Sequence, residues 1–355
     1  MNVALVERIA DAVLYEGYIL YPYRPSTKNR QRWTFGGLLP DAYCRAKSGE
    51  ASSNQTECLV RGTPGTSFDA RVRFLHLTDR LVGEYAPPLA EWPGGEEAPS
   101  RLVESLRVGD KLYNAWQEAE PREVRLGALT IDELMSGARE KSFAFPRGRR
   151  SEPVLGEDGK VLGVLIREQQ PIEGAVEVEA TTVGDDLFRV TLRVACRTPM
   201  DGAEGASRDE ALLRALVSTH AIIETRDGQF VSLMDPPEEA SEAAAACRNV
   251  GVWPVLVGEA GEADTMLASP IILYDYPQIA AESPGDFFDG TEIDEMLTLR
   301  IMTLTDEEKG QMASVDERTR ALLARTEATA REQLHGLHGT VRGLQPKPGE
   351  GSRHA

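Results

Sequence analysis

The residue types best suited to chemistry cluster early in the chain. Tyr18, Tyr21, Tyr23, Trp33 and Phe35 are interleaved with Arg24, Lys28, Arg30 and Arg32, and no acid falls between Gly17 and Pro40. Aromatic side chains bring large contact area with a polar handle, and arginine brings a planar donor fork that matches carboxylates and phosphates. The pattern predicts a recognition loop for an anionic partner or ligand, with Tyr21, Tyr23, Arg24, Lys28, Arg30, Arg32 and Trp33 as contacts. A second reading needs no other molecule: the arginines stack on these aromatics and pair with an acidic stretch of the same chain. That stretch runs from Asp235 to Lys309, where seventeen acids face Arg248, Arg300 and Lys309.

Other reactive groups are scattered. Asp286, Asp289, Glu292, Asp294 and Glu295 lie close together, but their spacing lacks the alternating acids and terminal glutamate of an EF-hand. They read as a solvated acidic face near a helix start, with Asp286, Asp289 and Glu292 the only weak metal candidates. Of the five histidines, His76 and His220 fall in strand-like runs, and either could act as a base beside Tyr21 if the basic loop held an anion. His335 and His338 lack a third ligand. Cys44, Cys58, Cys196 and Cys247 show no CxxC spacing and are too sparse for a disulfide framework. There is no GxGxxG after a strand, no P-loop, no GxSxG and no HExxH. No cofactor is expected.

The elements that must position these groups follow from periodicity. Val3, Leu5, Val6, Ile9, Ala10 and Val13 fit one face of a helix, and the run YILYPY after it reads as an edge strand, since proline donates no ladder hydrogen bond. Cys58 to Val60 and Ala70 to Leu77 read as strands, with Val72, Phe74 and His76 to one side. Residues 83 to 100, rich in Pro, Gly and Glu, read as a long surface loop. Asp158-Gly159 between apolar runs predicts a hairpin, and so does Asp227-Gly228. From Ala175 to Cys196, Val176, Val178 and Ala180 alternate with Glu177 and Glu179, while Arg189 and Arg193 return on the polar face of a second strand, placed for cross-strand ion pairs. Ser207 and Glu210 form a capping-box pattern before a helix of about ten residues. Pro236 to Cys247 reads as helical, and Trp253 to Val257 and Leu267 to Tyr274 read as buried strands. Leu323, Ala330, Leu334, Leu337 and Val341 make one apolar stripe on a long last helix, and the final residues form a tail without periodicity.

The expected fold is therefore α+β, mostly antiparallel hairpins with flanking helices and a long C-terminal helix. The expected division is an N-terminal α+β domain over 1–145 with the basic-aromatic loop, a β-rich domain over 146–345 with the acidic segment, and a disordered tail over 346–355.

Composition narrows the function. With 39 Lys plus Arg against 57 Asp plus Glu, the 355-residue chain carries a net charge of −18. That balance argues against a general nucleic-acid binder, whose affinity rests on excess cations, and against an anionic membrane surface. No window is long and apolar enough to span a bilayer, and the acids Glu7 and Asp11 interrupt the N-terminal apolar run, unlike a signal peptide. The expectation is a reduced, cytoplasmic protein without membrane insertion.

Two stretches, LYEGYILYPYRPSTKNRQRWTFGGLLP and SPIILYDYPQIAAESPGDFFDGTEIDEMLTLRIMTLTDEEK, resemble accessory proteins encoded beside nickel-iron hydrogenase structural and maturation genes in aerobic soil bacteria. The resemblance implies a role in making, assembling or stabilising that enzyme, with a hydrogenase subunit or maturation factor as partner and no assigned active site to carry over. The chain lacks the CxxC pairs or histidine-rich tract of a nickel or iron–sulfur carrier, which argues against direct metal delivery. The leading expectation is a non-enzymatic accessory protein acting through protein–protein contacts. The alternative is an enzyme or binder of a small anion, its site assembled from Arg24 to Arg32 and a histidine.

Overall fold

The computed structural model describes residues 3–19, 35–94 and 99–277, together with 305, 309–310, 320 and 323–324. In chain order the elements are α1 (Val3–Ile19), α2 (Asp41–Ala46), β1 (Ser53–Arg61), β2 (Ser67–Leu89), β3 (Arg101–Val103), β4 (Ser105–Val108), β5 (Lys111–Asn114), β6 (Trp116–Arg125) and β7 (Leu129–Thr130). There follow α3 (Ile131–Met135), β8 (Arg139–Phe145), β9 (Gly148–Leu155), β10 (Val161–Gln169), β11 (Ile172–Thr182), β12 (Leu187–Cys196) and α4 (Arg208–Leu212). The last are β13 (Val217–Arg226), β14 (Gln229–Val231), a 3-10 turn at Glu238–Ala240, α5 (Ser241–Ala245), β15 (Trp253–Leu256) and β16 (Thr265–Ser269).

Among the described residues 49% are in strands and 16% in helices, which corrects the α+β expectation to a mostly antiparallel β fold. Of the five α-helices among these elements, four have five or six residues, too short to form a layer of their own. Alternating apolar residues therefore bury themselves sheet against sheet. The stripe from Leu323 to Val341, expected as a long helix, and the C-terminal tail lie almost wholly outside the described residues.

One sheet has five strands in the order β14-β1-β12-β11-β8, and a second has the path β15-β16-β13-β2-β10-β9. Strands that end by residue 145 pair with strands that begin after it in both sheets. The hub is β2, whose 23 residues pair with β13 and then β10 along one edge, and with β7, β6 and β3 along the other. The region read as a loop from residue 83 is strand as far as Leu89. There β2 and β10 approach so closely at a bulge that a Cβ on Gly163 would stand 2.5 Å from the Gly83 carbonyl oxygen. Glycine is required at that crossing.

The core between the sheets is built from alternate residues: Phe68, Ala70, Val72 and Phe74 of β2 face Val176, Val178 and Ala180 of β11 and Val190, Leu192 and Val194 of β12. The hairpins at Asp158-Gly159 and between β11 and β12 form as the alternation predicts. Arg193 Nη1 stands 2.7 Å from Glu177 and 2.8 Å from Glu179, whereas Arg189 turns to Glu57 of β1 at 3.8 Å. Asp227-Gly228 does not close a hairpin, because β13 belongs to the larger sheet and β14 pairs with β1 in the smaller one. Asp227 takes φ +59° as the chain crosses between sheets. Ser207 and Glu210 do form a capping box, though α4 stops after five residues. The strand expected from Leu267 to Tyr274 ends at Ser269, before Pro270. Tyr18 and Ile19, read as the start of a strand, are the last residues of α1.

Helix α1 lies on the outer face of the larger sheet. Val6, Ile9, Ala10 and Val13 pack on Ile222, Val255, Val257 and Leu267. At its polar margin Glu7 bonds Arg71 at 2.5 Å, and Asp11 bonds Arg73 at 2.5 Å.

Candidate functional site

The two sheets end side by side at one corner of the sandwich. Strand β8 is the edge of the smaller sheet and β9 the edge of the larger one, and only Pro146 and Arg147 separate them. The alternation of β8 turns Phe143 and Phe145 inward onto Phe74, with ring centroids 5.7 and 6.0 Å away, while Arg139, Glu140 and Lys141 stay exposed. Three arginines then follow in four residues. Arg147, Arg149 and Arg150 have side chains 64, 53 and 69% exposed.

Their charge is only partly matched. Arg147 lies 3.7 Å and Arg149 3.3 Å from the same carboxylate, Glu168 of β10. Arg150 pairs with Glu120 of β6, which also takes Arg122 at 3.1 Å. Four guanidiniums thus share two carboxylates. Arg122 in turn lies 5.0 Å above the Phe145 ring and donates to Gln169 Oε1 at 3.3 Å, which ties the corner to the interior. At the far end of β9 Leu155 is 53% exposed, so the strand runs from a basic to an apolar end. Among the described residues strand β9 pairs with β10 on one side only.

Beneath this corner sits His76, fully buried on the inner face of β2. Its Nε2 lies 2.9 Å from the Gln170 carbonyl oxygen, which can only accept, so Nε2 carries the proton and Nδ1 is left as a buried acceptor without a partner among the described residues. Burial pushes the imidazole below its ordinary pKa, the Gln170 bond opposes this, and Arg122 adds to the depression. Thr78 Oγ1, Arg122 Nε and Gln169 Nε2 nearby are likewise buried without a hydrogen-bond partner among the described residues. Burial raises the carboxyl of Asp79 on the same stretch of β2, and Glu168 raises it further.

His220 lies across the sheet, opposite Arg73 and under α1, and is 1% exposed. Its Nδ1 donates to the Ser218 carbonyl at 3.0 Å and its Nε2 has no partner among the described residues. Burial takes its pKa down to about 4. Ser218 itself sits at φ +54° in an irregular stretch of β13 and donates to the Val13 carbonyl of α1 at 3.2 Å. His76 and His220 are therefore on opposite faces of one sheet, and neither ring reaches solvent. Burial also raises the thiols of Cys58 and Cys196, so neither is poised as a nucleophile.

The remaining expected contacts, Tyr21, Tyr23, Arg24, Lys28, Arg30, Arg32 and Trp33, lie outside the described residues, as do Asp286, Asp289 and Glu292. Among the described residues no three His, Cys, Asp or Glu side chains are grouped to hold a metal ion. No helix there is long and apolar enough to cross a membrane. The corner itself was missed in the sequence, although FPRGRR, a basic run between two strand patterns, was a usable signal. Compared with known proteins, the chain matches no family model and no curated sequence.

Proposed function

We propose that the protein is a non-enzymatic accessory or assembly protein that works through protein–protein contacts in the cytoplasm, in the biogenesis of nickel-iron hydrogenase. The observation that carries this reading is the β8–β9 corner, where four guanidiniums share two carboxylates along a strand edge that is paired on one side only among the described residues. Such an edge accepts an extended segment through its backbone groups, while the arginines select for acidic side chains beside it. The resemblance to proteins encoded beside hydrogenase genes supplies the partner class, a hydrogenase subunit or maturation factor. The depth of His76 and His220 favours this over a small-molecule enzyme, since a base must come within hydrogen-bond reach of its substrate.

A tagged bait recovered from the native host, with captured proteins identified by mass spectrometry and bound metal assayed, tests the proposal. Capture of hydrogenase subunits or maturation factors without stoichiometric metal is expected. A bait that emerges alone, carrying a metal or a small molecule, overturns it.

A further inference from the structure

The face of the smaller sheet that points away from the core is covered at one end by the Glu238–Ala240 turn and α5, with Ala240 and Ala244 packed on Leu59, Leu187 and Val231. Between that cover and the turn joining β11 to β12 lies an open cleft of ≈ 550 Å³. Its size falls in the range of small-molecule sites, roughly 300 to 1,000 Å³. Apolar groups of Val183, Leu187 and Ala243 line it together with charges of both signs.

The charges are not equivalent. Arg61 is already engaged, 3.1 Å from Glu239 and 3.6 Å from Asp186. Arg189 is engaged more loosely: its side chain is 24% exposed, its Nε is buried without a hydrogen-bond partner among the described residues, and it pairs with Glu57 only at 3.8 Å. Glu57 is itself occupied, accepting from the Arg248 backbone N–H at 2.8 Å. The Cys247 thiol, which burial holds in its neutral form, also neighbours Arg189. Asp185 and Glu242 line the same cleft, exposed and without an ion pair among the described residues. Two arginines against Asp185, Asp186, Glu239 and Glu242 leave the lining net negative. A simple anion is therefore disfavoured, and so is a ligand that offers Arg189 nothing.

We propose that this cleft binds a free basic amino acid, its α-carboxylate taken by the Arg189 fork and its cationic groups by Asp185 and Glu242. Such a ligand carries one anionic group and two cationic ones, which matches one loosely paired arginine and two carboxylates without an ion pair among the described residues, all lining the same cleft. The fork recognises carboxylate geometry, and the carboxylates contribute charge-assisted hydrogen bonds. This site is on the opposite side of the smaller sheet from its core and is independent of the β8–β9 corner.

Calorimetric titration of the whole protein with L-arginine tests the proposal, alongside agmatine, which has the guanidinium but no carboxylate. Saturable one-to-one binding is expected, weakened by about tenfold or more with agmatine and in Arg189→Gln, because each removes a hydrogen bond to a charged group. Should Arg189→Gln fold poorly, the exposed Glu242→Gln gives the same reading, with binding weakened and the fold kept. Absence of saturable binding of both L-arginine and L-lysine at millimolar concentration overturns the proposal. Equal affinity for agmatine and L-arginine, or unchanged affinity in both variants, overturns it as well.

Discussion

Arginines at two places along β2 and its neighbours live under opposite conditions. Under α1, Arg71 and Arg73 have side chains only 8 and 12% exposed, and Glu7, Asp11, Glu123 and Glu224 surround them with at least as many carboxylates as guanidiniums. At the β8–β9 corner, Arg147, Arg149 and Arg150 stand more than half exposed and, with Arg122, outnumber their carboxylates. The first group fastens a helix to a sheet. The second leaves charge facing solvent, where it contributes little to stability and is available to a partner.

The largest effect should come from the buried group. Arg71→Met leaves Glu224 against a sheet face without its cation and Glu7 with Arg73 alone, and a loss of about 3 kcal/mol is expected in urea unfolding, near the lower end for a broken buried pair. A loss below about 0.5 kcal/mol, the ordinary scale of a surface change, would erase the distinction between the two sites.

His220, which lies beside Arg73 under α1, sharpens the comparison through pH. Its folded pKa of about 4 lies below the free value of 6.5, so between these limits the unfolded chain binds a proton that the folded chain refuses. Stability from this group therefore falls as pH drops from 6.5 towards 4, with a slope of up to about 1.4 kcal/mol per pH unit. His220→Gln should flatten the stability curve in that window. An unchanged slope would mean that the ring takes up its proton without leaving the interior. Burial depresses His76 in the same direction, so some slope persists in the variant.

The smallest change in stability is expected at the corner. Glu168→Gln releases Arg147 and Arg149 from their shared carboxylate, and unfolding free energy should move by no more than about 0.5 kcal/mol. Capture of an acidic partner should strengthen at low salt, since the net positive charge of the edge grows. Weaker capture would show that Glu168 positions the arginines for binding.

How much of this was legible in the sequence depended on range. Local signals held: the alternation of Val176, Val178 and Ala180 with Glu177 and Glu179, the Asp158-Gly159 turn, and the capping box of Ser207 and Glu210 are each set by neighbours within a few residues. The signals that failed had competing readings that only distant partners decide. Pro87 and Pro88 suggested a loop, yet β10 and β3 hold β2 extended up to and around them. Asp227-Gly228 has the composition of a hairpin turn, but the preference of Asp227 for positive φ serves a crossover equally well. The same limit applied to the site. RGRR is visible as a basic run, but that Arg147 and Arg149 must share one carboxylate on β10 depends on the register of β9 against it, which no local pattern reveals.

The claim that the corner is a recognition surface and the α1 layer a structural one is tested most directly by reversing charge at the corner in the intact protein. Arg149→Glu with Arg150→Glu should leave the thermal unfolding midpoint within a few degrees of the parent, because exposed pairs contribute little, while capture of the partner from the native host is lost. Undiminished capture by a folded double variant, or loss of the fold itself, would contradict the account.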